Sequence, residues 1–176
     1  MKKSVIAILV VAIILGLLYF VIGSKKSNHP PIEVVFYNVE NLFDTIEDPE
    51  IWDDEFLPDS AKKWTQERYD KKLVDLAKVL TEISEDGLPE VIGVCEVENR
   101  QVVEDLFKTD SLGNRKFKVI HEQSPDFRGI DVTLAYDSEI LTELYHEKIS
   151  VSFSFEPEKK TRDILYAKML SCGDTL

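Results

Sequence analysis

Two stretches of the chain end an apolar run with amide and carboxylate side chains. In residues 34–44, β-branched and aromatic residues give way to Asn38 and Glu40, and in residues 91–99 the apolar run gives way to Glu96. Because side chains alternate along a strand, Asn38 and Glu40 are expected on one face. Amide and carboxylate oxygens are ligands that a hard cation such as Mg²⁺ prefers. The pattern therefore predicts a metal and phosphate site, with a polar strand end that caps a turn as the structural alternative.

These side chains can meet only if their strands are neighbours. Between the two stretches, apolar residues recur at three- and four-residue spacing over residues 69–83, which predicts an amphipathic helix. A strand, a helix and a second strand favour two parallel, adjacent strands whose carboxyl ends converge. We therefore expect Glu96 beside Asn38 and Glu40. The alternative for Glu96 is a carboxylate at a helix start, next to Asn99 as the N-cap.

The rest of the chain predicts a short helix after Asn99 and several further strands. Strands are expected at residues 116–121, 129–137 and 162–170, with one or two more at 141–155. The first two of these strands should form an antiparallel hairpin. A turn signal at residues 171–174 is followed by no returning strand in this prediction, which suggests a truncated chain. Residues 44–60 are acidic and carry two prolines, so they predict a surface loop.

The first residues indicate export or membrane anchoring. A positive start is followed by an uninterrupted apolar run over residues 5–22, close to the spanning length of about 20 residues. We expect residues 1–24 to be an uncleaved membrane anchor, with a cleaved signal peptide as the alternative, and residues 25–31 to be a linker. Residues 32–176 then form the domain. The protein is expected to be membrane-anchored or exported, with its domain on the extracytoplasmic side.

Composition limits the classes of function. The formal net charge of −12 argues against a protein that wraps nucleic acid with a basic surface, because Lys and Arg supply most non-specific affinity for phosphates. It does not exclude a metal-dependent enzyme acting on phosphates, since the carboxylates that hold a divalent cation add to the acidity. The two cysteines, Cys95 and Cys172, define no disulfide framework, and a single bridge between them is left open.

Four motifs in order resemble the endonuclease/exonuclease/phosphatase superfamily, and more narrowly its bacterial extracytoplasmic, endonuclease-like members. The motifs are YNVENLFD at 37–44, CEVEN at 95–99, SPDFRGIDVTLAYD at 124–137 and TRDILYAKM at 161–169. The resemblance covers the chain from about residue 32 onward. It implies an α+β fold that is part of a two-layer β-sandwich flanked by helices, here preceded by an N-terminal hydrophobic helix.

The resemblance also implies roles for individual residues. Asn38 matches the strand-end asparagine that orients the scissile phosphate, and is the expected catalytic residue. Glu96 matches the glutamate that ligates the divalent cation, Mg²⁺ or Mn²⁺, and Glu40 is expected to support the same metal site. Arg128 and Asp131 lie in a segment typical of the subfamily and are assigned to substrate binding. An aspartate inside a strand either binds something or pairs with a buried partner, for which Arg128 is the candidate.

The chain departs from the family pattern in its later motifs. The catalytic histidine, the Asp and Asn pair and the final Asp-His have no counterpart, and His29, His121 and His146 are expected in ordinary structural positions. We therefore expect the N-terminal half of a metal-dependent phosphodiester hydrolase, endonuclease-like and inactive by itself. The alternatives are a non-catalytic, membrane-anchored interaction module and a lipid or sugar phosphatase. Expected partners are a phosphodiester substrate, with nucleic acid as one candidate, and the membrane; the sequence indicates no protein partner.

Overall fold

The strands of the chain form two sheets, with helices on one of them. The computed structural model describes residues 31–84 and 87–176. The elements are β1 (Val34–Leu42), α1 (Gln66–Glu82), β2 (Val91–Val97), α2 (Arg100–Phe107), β3 (Phe117–His121), β4 (Asp131–Asp137), β5 (Thr142–Ile149), β6 (Ile164–Ser171) and β7 (Asp174–Thr175), with a short 3₁₀ turn at Asp54–Phe56. This is the α+β composition that the sequence predicts.

The first sheet has the strand order β1-β2-β4-β3. Strands β1 and β2 are parallel, and Asn38 lies opposite Cys95 in their register. The other two pairs, β2 with β4 and β3 with β4, are antiparallel. Helix α1 connects the two parallel strands, so the prediction of a strand, helix and parallel strand is confirmed.

Both helices bury one face against the first sheet. The apolar spacing of α1 places five side chains in the core: Tyr69, Leu73, Leu76, Ala77 and Leu80. Helix α2 begins where the Asn99 side chain accepts a hydrogen bond from the Val102 N–H at 3.0 Å. Its Val102, Val103, Leu106 and Phe107 join the same core. Each fully buried Val, Leu or Phe contributes about 1.5–3 kcal/mol relative to an exposed one, so this cluster is what holds β1 and β2 in place.

The second sheet has the order β5-β6-β7 and meets the first sheet through a smaller apolar cluster. That cluster comprises Val91, Ile120, Tyr136, Leu141 and Met169. A polar contact also crosses between the sheets, because His146 of β5 lies 3.2 Å from Glu122, the residue after β3. Two sheets sharing one core are compatible with a β-sandwich.

The structure decides one alternative left by the predicted strands and corrects two further details. Residues 141–155 hold a single strand, β5, which ends at Ile149. The strand predicted at 129–137 begins only at Asp131. The turn at 171–174 does have a returning strand, since Ser171 pairs with Asp174 and Met169 exchanges backbone hydrogen bonds with Leu176 at 2.9 and 3.0 Å. The prediction of no returning strand was wrong because two residues are too few to give a strand pattern.

Residues 32–176 form one compact unit. The predicted anchor or signal peptide at 1–24, and with it the N-terminal hydrophobic helix, lies outside the described residues, as do residues 25–30 of the linker and His29. Among residues 31–84 and 87–176, no helix has the length and apolar character needed to cross a membrane.

The two cysteines do not form a disulfide. Cys95 is buried and Cys172 is exposed, and both thiols are free, so the single bridge left open by the sequence is not formed.

Candidate functional site

Strands β1 and β2 both depart from regular geometry at the residues predicted to do chemistry. Glu40 and Asn41 have φ values of 53° and 64°, and Glu96 has φ of 66°. The pairing register of β1 with β2 shifts after Asn38, and that of β2 with β4 shifts across Glu96. Left-handed backbone is uncommon for residues other than glycine and costs on the order of 1–3 kcal/mol, so such residues cluster at functional sites. The two strand ends are irregular at neighbouring positions.

Lys72 of α1 binds the irregular end of β1. Its Nζ donates to the carbonyl oxygens of Glu40 at 2.6 Å and Asn41 at 3.0 Å. The Asn38 side-chain oxygen accepts a hydrogen bond from the Glu40 N–H at 2.8 Å. The N–H and the carbonyl of Glu40 are therefore both hydrogen-bonded to side chains. Burial lowers the pKa of Lys72, and the carboxylates of Glu40 and Glu96 oppose that shift. Both carboxylates therefore lie within electrostatic reach of one ammonium group.

Glu96 faces a group of cations. Its Oε1 lies 4.0 Å from Nη1 of Arg162. The hydrogen bond to Asp126 is the main cause that raises the pKa of Arg128, and the Glu96 charge adds to it. At Lys72 the same charge only partly opposes the lowering of the pKa by burial. Burial raises the pKa of the neighbouring Cys95 thiol, against the opposing effect of the Arg162 guanidinium. Arg162 and Lys72 are not among the site residues predicted from the sequence. For Arg162 a signal existed, since it lies in the TRDILYAKM motif, whereas Lys72 looks like any lysine on an amphipathic helix.

Arg128 is fixed by Asp126 and not by Asp131. The Arg128 Nη2 and Nε donate to the two oxygens of Asp126 at 2.7 and 3.0 Å. Burial acts to raise the pKa of Asp126, but hydrogen bonds from Arg128 bring it below its usual value. The expected pairing of Arg128 with Asp131 is wrong, because the guanidinium instead binds Asp126, which lies two positions before it in the same loop. The substrate-binding role of Arg128 stays a prediction.

Asp131 is buried at the start of β4. Its Oδ2 lies 2.9 Å from Nε2 of His121, and its Oδ1 accepts from the Ser124 N–H at 2.8 Å. The side chain thus has a buried partner, which was one of the two alternatives from the sequence, although the partner is His121. Its assignment to substrate binding stays a prediction.

A second group of acids lies beside the candidate site. Glu98 is buried and accepts a hydrogen bond from the Asp44 N–H at 2.7 Å. Burial raises the pKa of Glu98 to about 8, and the carboxylates of Asp44, Asp53 and Asp48 act in the same direction. Asn99, the residue that follows Glu98, is the N-cap of α2. The N-cap that formed part of the helix-start alternative for Glu96 is therefore present.

Comparison with known proteins identifies the family. The family model described as endonuclease/exonuclease/phosphatase family matches residues 33–174 of the chain. The chain belongs to the endonuclease/exonuclease/phosphatase family. The predicted superfamily is thereby confirmed, and with it a hydrolase domain in general terms. Neither the curated proteins nor the solved structures contain a significant match. The narrower resemblance to bacterial extracytoplasmic members of this family stays a prediction.

The divalent cation expected for this family can be compared with the residues present. Within residues 31–84 and 87–176, no group of three His, Cys, Asp or Glu residues is arranged to hold a metal ion. Mg²⁺, however, is usually bound through one or two carboxylates, with waters and substrate phosphates completing its octahedron. The carboxylates of Glu96 and Glu40, at adjacent strand ends and both within electrostatic reach of Lys72, are hard donors of that kind. The donor set fits a weakly held Mg²⁺ or Mn²⁺ and would not suit a soft metal.

Proposed function

We propose that the chain holds the metal- and phosphate-binding site of a divalent-metal-dependent phosphodiester hydrolase of the endonuclease-like kind, at the ends of β1 and β2. One observation carries the proposal. Asn38 lies opposite Cys95 in the parallel register, so an amide and the carboxylate of Glu96 emerge from neighbouring, irregular strand ends. Arg162 lies beside them at 4.0 Å from Glu96. Hard oxygen donors next to a guanidinium suit a bound cation together with a phosphate.

Each residue has a distinct part in this proposal. Glu96, supported by Glu40, would hold Mg²⁺ or Mn²⁺, which supplies Lewis-acid stabilisation of charge on phosphoryl oxygens when bound. The Asn38 side-chain oxygen already accepts from the Glu40 N–H, which orients the amide and leaves its Nδ2 group to donate to a phosphate oxygen. Arg162 adds a second donor to the phosphate. Lys72 holds the left-handed Glu40 and Asn41 through their carbonyl groups.

The two described histidines do not serve as a general base in this proposal. His121 is engaged by Asp131, and His146 lies between Glu143 at 2.6 Å and Glu122 at 3.2 Å. We therefore expect this chain to bind metal and phosphodiester, and we test the function by binding.

We further propose that the two sheets form a two-layer sandwich, which is supported by the apolar cluster they share. We also propose that the domain is membrane-anchored and extracytoplasmic, which is supported by the composition of residues 1–24.

A second candidate is a non-catalytic, membrane-anchored interaction module. It is supported by an apolar groove of about 430 Å³ between the two sheets, which includes the exposed side chains of Val34, Phe36 and Tyr166. An apolar groove of this kind is typical of a surface that another protein segment covers. This alternative requires no metal at Glu96, so a metal-binding experiment separates the two functions.

The experiment is a Mg²⁺ titration of the full chain followed by thermal unfolding, with Mn²⁺ as a second cation. We expect Mg²⁺ to raise the melting temperature, since a ligand at a hundred times its dissociation constant stabilises the folded state by about 2.7 kcal/mol. Glu96→Gln should abolish the shift because it removes the charge and keeps the shape. Glu47→Gln, at an exposed acid of the same protein, is the matched control and should leave the shift unchanged. A full shift in Glu96→Gln would overturn the proposed metal site and favour the interaction module.

A further inference from the structure

A cavity of about 640 Å³ opens between the loop that follows β3 and the segment that precedes β6. Asp126, Phe127 and Arg128 form one wall, and residues of the segment 156–161 form the other. We call this cavity the side cleft. Its walls combine one exposed aromatic ring with charged groups at the rim, a composition typical of a site for an amphipathic ligand.

The side cleft is adjacent to the candidate active site. One wall ends at Thr161, and the next residue, Arg162, reaches within 4.0 Å of Glu96. From the other wall, the Arg128 guanidinium lies within electrostatic reach of the same Glu96 carboxylate. A phosphodiester bound beside Glu96 would therefore carry one of its two substituents toward the side cleft.

Phe127 presents its ring to this cleft. The side chain is 54% exposed, although it contacts Trp52 with ring centroids 4.9 Å apart and planes at 69°. The Trp52 N–H also donates to the Phe127 carbonyl at 3.3 Å. These contacts fix the position of Phe127 without burying it. A large aromatic ring held in place beside a phosphate site, and left half exposed, is available for stacking.

Arg128 provides a second flat group. Asp126, whose side chain is almost completely buried, binds Nε and Nη2 and so sets the plane of the guanidinium, while half of the Arg128 side chain stays exposed. Guanidinium groups stack on flat rings as well as binding phosphates. The lining of the cleft balances three cations against three acids, whereas the chain as a whole carries −12, so an anionic ligand meets less repulsion here than elsewhere on the surface.

We propose that the side cleft is a substrate subsite that takes an unpaired nucleobase, stacked on Phe127, of a single-stranded or short nucleotide phosphodiester. The inference rests on the proposed function, because it places the base beside the phosphate held near Glu96. Stacking distinguishes a base from the ring-less substituents of glycerol or alkyl phosphates, since it requires an aromatic face on both partners. Phe127 is thus a specificity-determining residue, selecting nucleotides over lipid or sugar phosphodiesters.

The test compares two phosphodiesters by calorimetric titration of the full chain pre-saturated with Mg²⁺, so that the proposed phosphate site is complete and metal binding contributes no heat. The probes are thymidylyl-thymidine, which carries two bases, and glycerophosphoglycerol, which carries no ring. Phe127→Leu should weaken binding of the dinucleotide by roughly 5- to 150-fold, the equivalent of about 1–3 kcal/mol per stacked base. Binding of glycerophosphoglycerol should not change. Phe127→Tyr, which keeps the ring, should bind the dinucleotide like the wild type.

Phe155→Leu is the matched control, since Phe155 is 81% exposed and does not line the cleft. Thermal unfolding checks that each variant is folded. The inference is overturned if the wild type does not bind the dinucleotide, if Phe127→Leu binds it unchanged, or if both probes lose affinity equally. Failure of the metal site would appear separately, as an unchanged Mg²⁺ shift in Glu96→Gln with the Phe127 effect intact.

Discussion

The Asp131 carboxylate and the His121 ring meet across the β3–β4 hairpin, with Oδ2 and Nε2 2.9 Å apart. The same carboxylate accepts from the Ser124 N–H at 2.8 Å, and the Asp131 side chain is almost fully buried. One aspartate therefore connects the end of β3, the loop that follows it and the start of β4. That loop carries Phe127 and Arg128, so Asp131 helps to position this wall of the side cleft through its hydrogen bond with Ser124.

Asp131→Ala should lower the free energy of unfolding by about 1–3 kcal/mol, because it leaves the partly buried His121 ring nitrogen and the Ser124 N–H without their carboxylate partner. Asp131→Asn keeps an acceptor for Ser124 and should cost less. Urea unfolding measures both. Neither substitution should change the Mg²⁺-induced thermal shift. The result that contradicts this structural role is an Asp131→Asn variant of wild-type stability that has lost affinity for thymidylyl-thymidine, which would instead support direct substrate binding.

Gly129 permits the close approach of the Ile51 side chain to the same loop. Its φ is +65°, and a Cβ added there would lie 2.8 Å from the Ile51 Cβ. Gly129→Ala should therefore destabilise the fold by about 1–3 kcal/mol, through overpacking added to an unfavourable φ. The double variant with Ile51→Ala keeps the Ile51 Cβ but removes its Cδ1 and its Cγ1, which would lie 3.0 Å from the added Cβ, so it should recover part of that loss. A urea double-mutant cycle measures the coupling. Strictly additive effects would show that the contact with Ile51 does not limit this position.

The sequence predicts those parts of the site that depend on local patterns. Apolar spacing in α1 predicts a helix between two strands, and the rule for such connections then predicts Glu96 near Asn38. The prediction weakens where geometry becomes irregular, because the alternation argument for Asn38 and Glu40 assumes a regular strand. The positive φ values at Glu40 and Glu96 have no signal in residue type. At Glu40 the conformation is held by a tertiary contact, the hydrogen bond from Lys72 to the Glu40 carbonyl.

Side-chain partners are harder to predict than strands. The approach of Arg162 to Glu96 joins the segment that precedes β6 to strand β2, and no spacing in the sequence indicates it. The pairing of Arg128 was predicted with the wrong aspartate because both candidates lie within three residues. Only the loop backbone decides that Asp126 meets the guanidinium while Asp131 turns into the hairpin toward His121.

Glu98 gives the protein a predictable dependence on pH. It is 4% exposed, and burial raises its pKa from 4.5 to about 8. Between these two values the folded protein retains a proton that the unfolded chain has released. Because the folded state then binds more protons, the free energy of unfolding falls as pH rises through this window and levels off above it. The stabilisation is fully present below about pH 4.5.

Glu98→Gln should remove this dependence, because glutamine resembles the protonated acid and can still accept from the Asp44 N–H. We subtract the free energy of unfolding of the wild type from that of the variant at each pH. This difference should be about 1–4 kcal/mol larger at pH 8.5 than at pH 5, since a tenfold change in an acid constant corresponds to about 1.4 kcal/mol. Urea unfolding across that range measures the difference. Glu47→Gln, at an exposed acid, is the control and should parallel the wild type.

The difference between Glu98→Gln and wild type isolates Glu98 from His146, another group that titrates in the same direction. The hydrogen bond between His146 and Glu143 raises the pKa of His146, so the free energy of unfolding also falls as pH increases above the usual histidine range. That contribution is common to wild type and Glu98→Gln, so it cancels in their difference. Parallel pH curves for the two proteins would mean that Glu98 is ionised in the folded state at neutral pH. The buried carboxylate would then need a cation among Asp44, Asp48 and Asp53 to balance its charge.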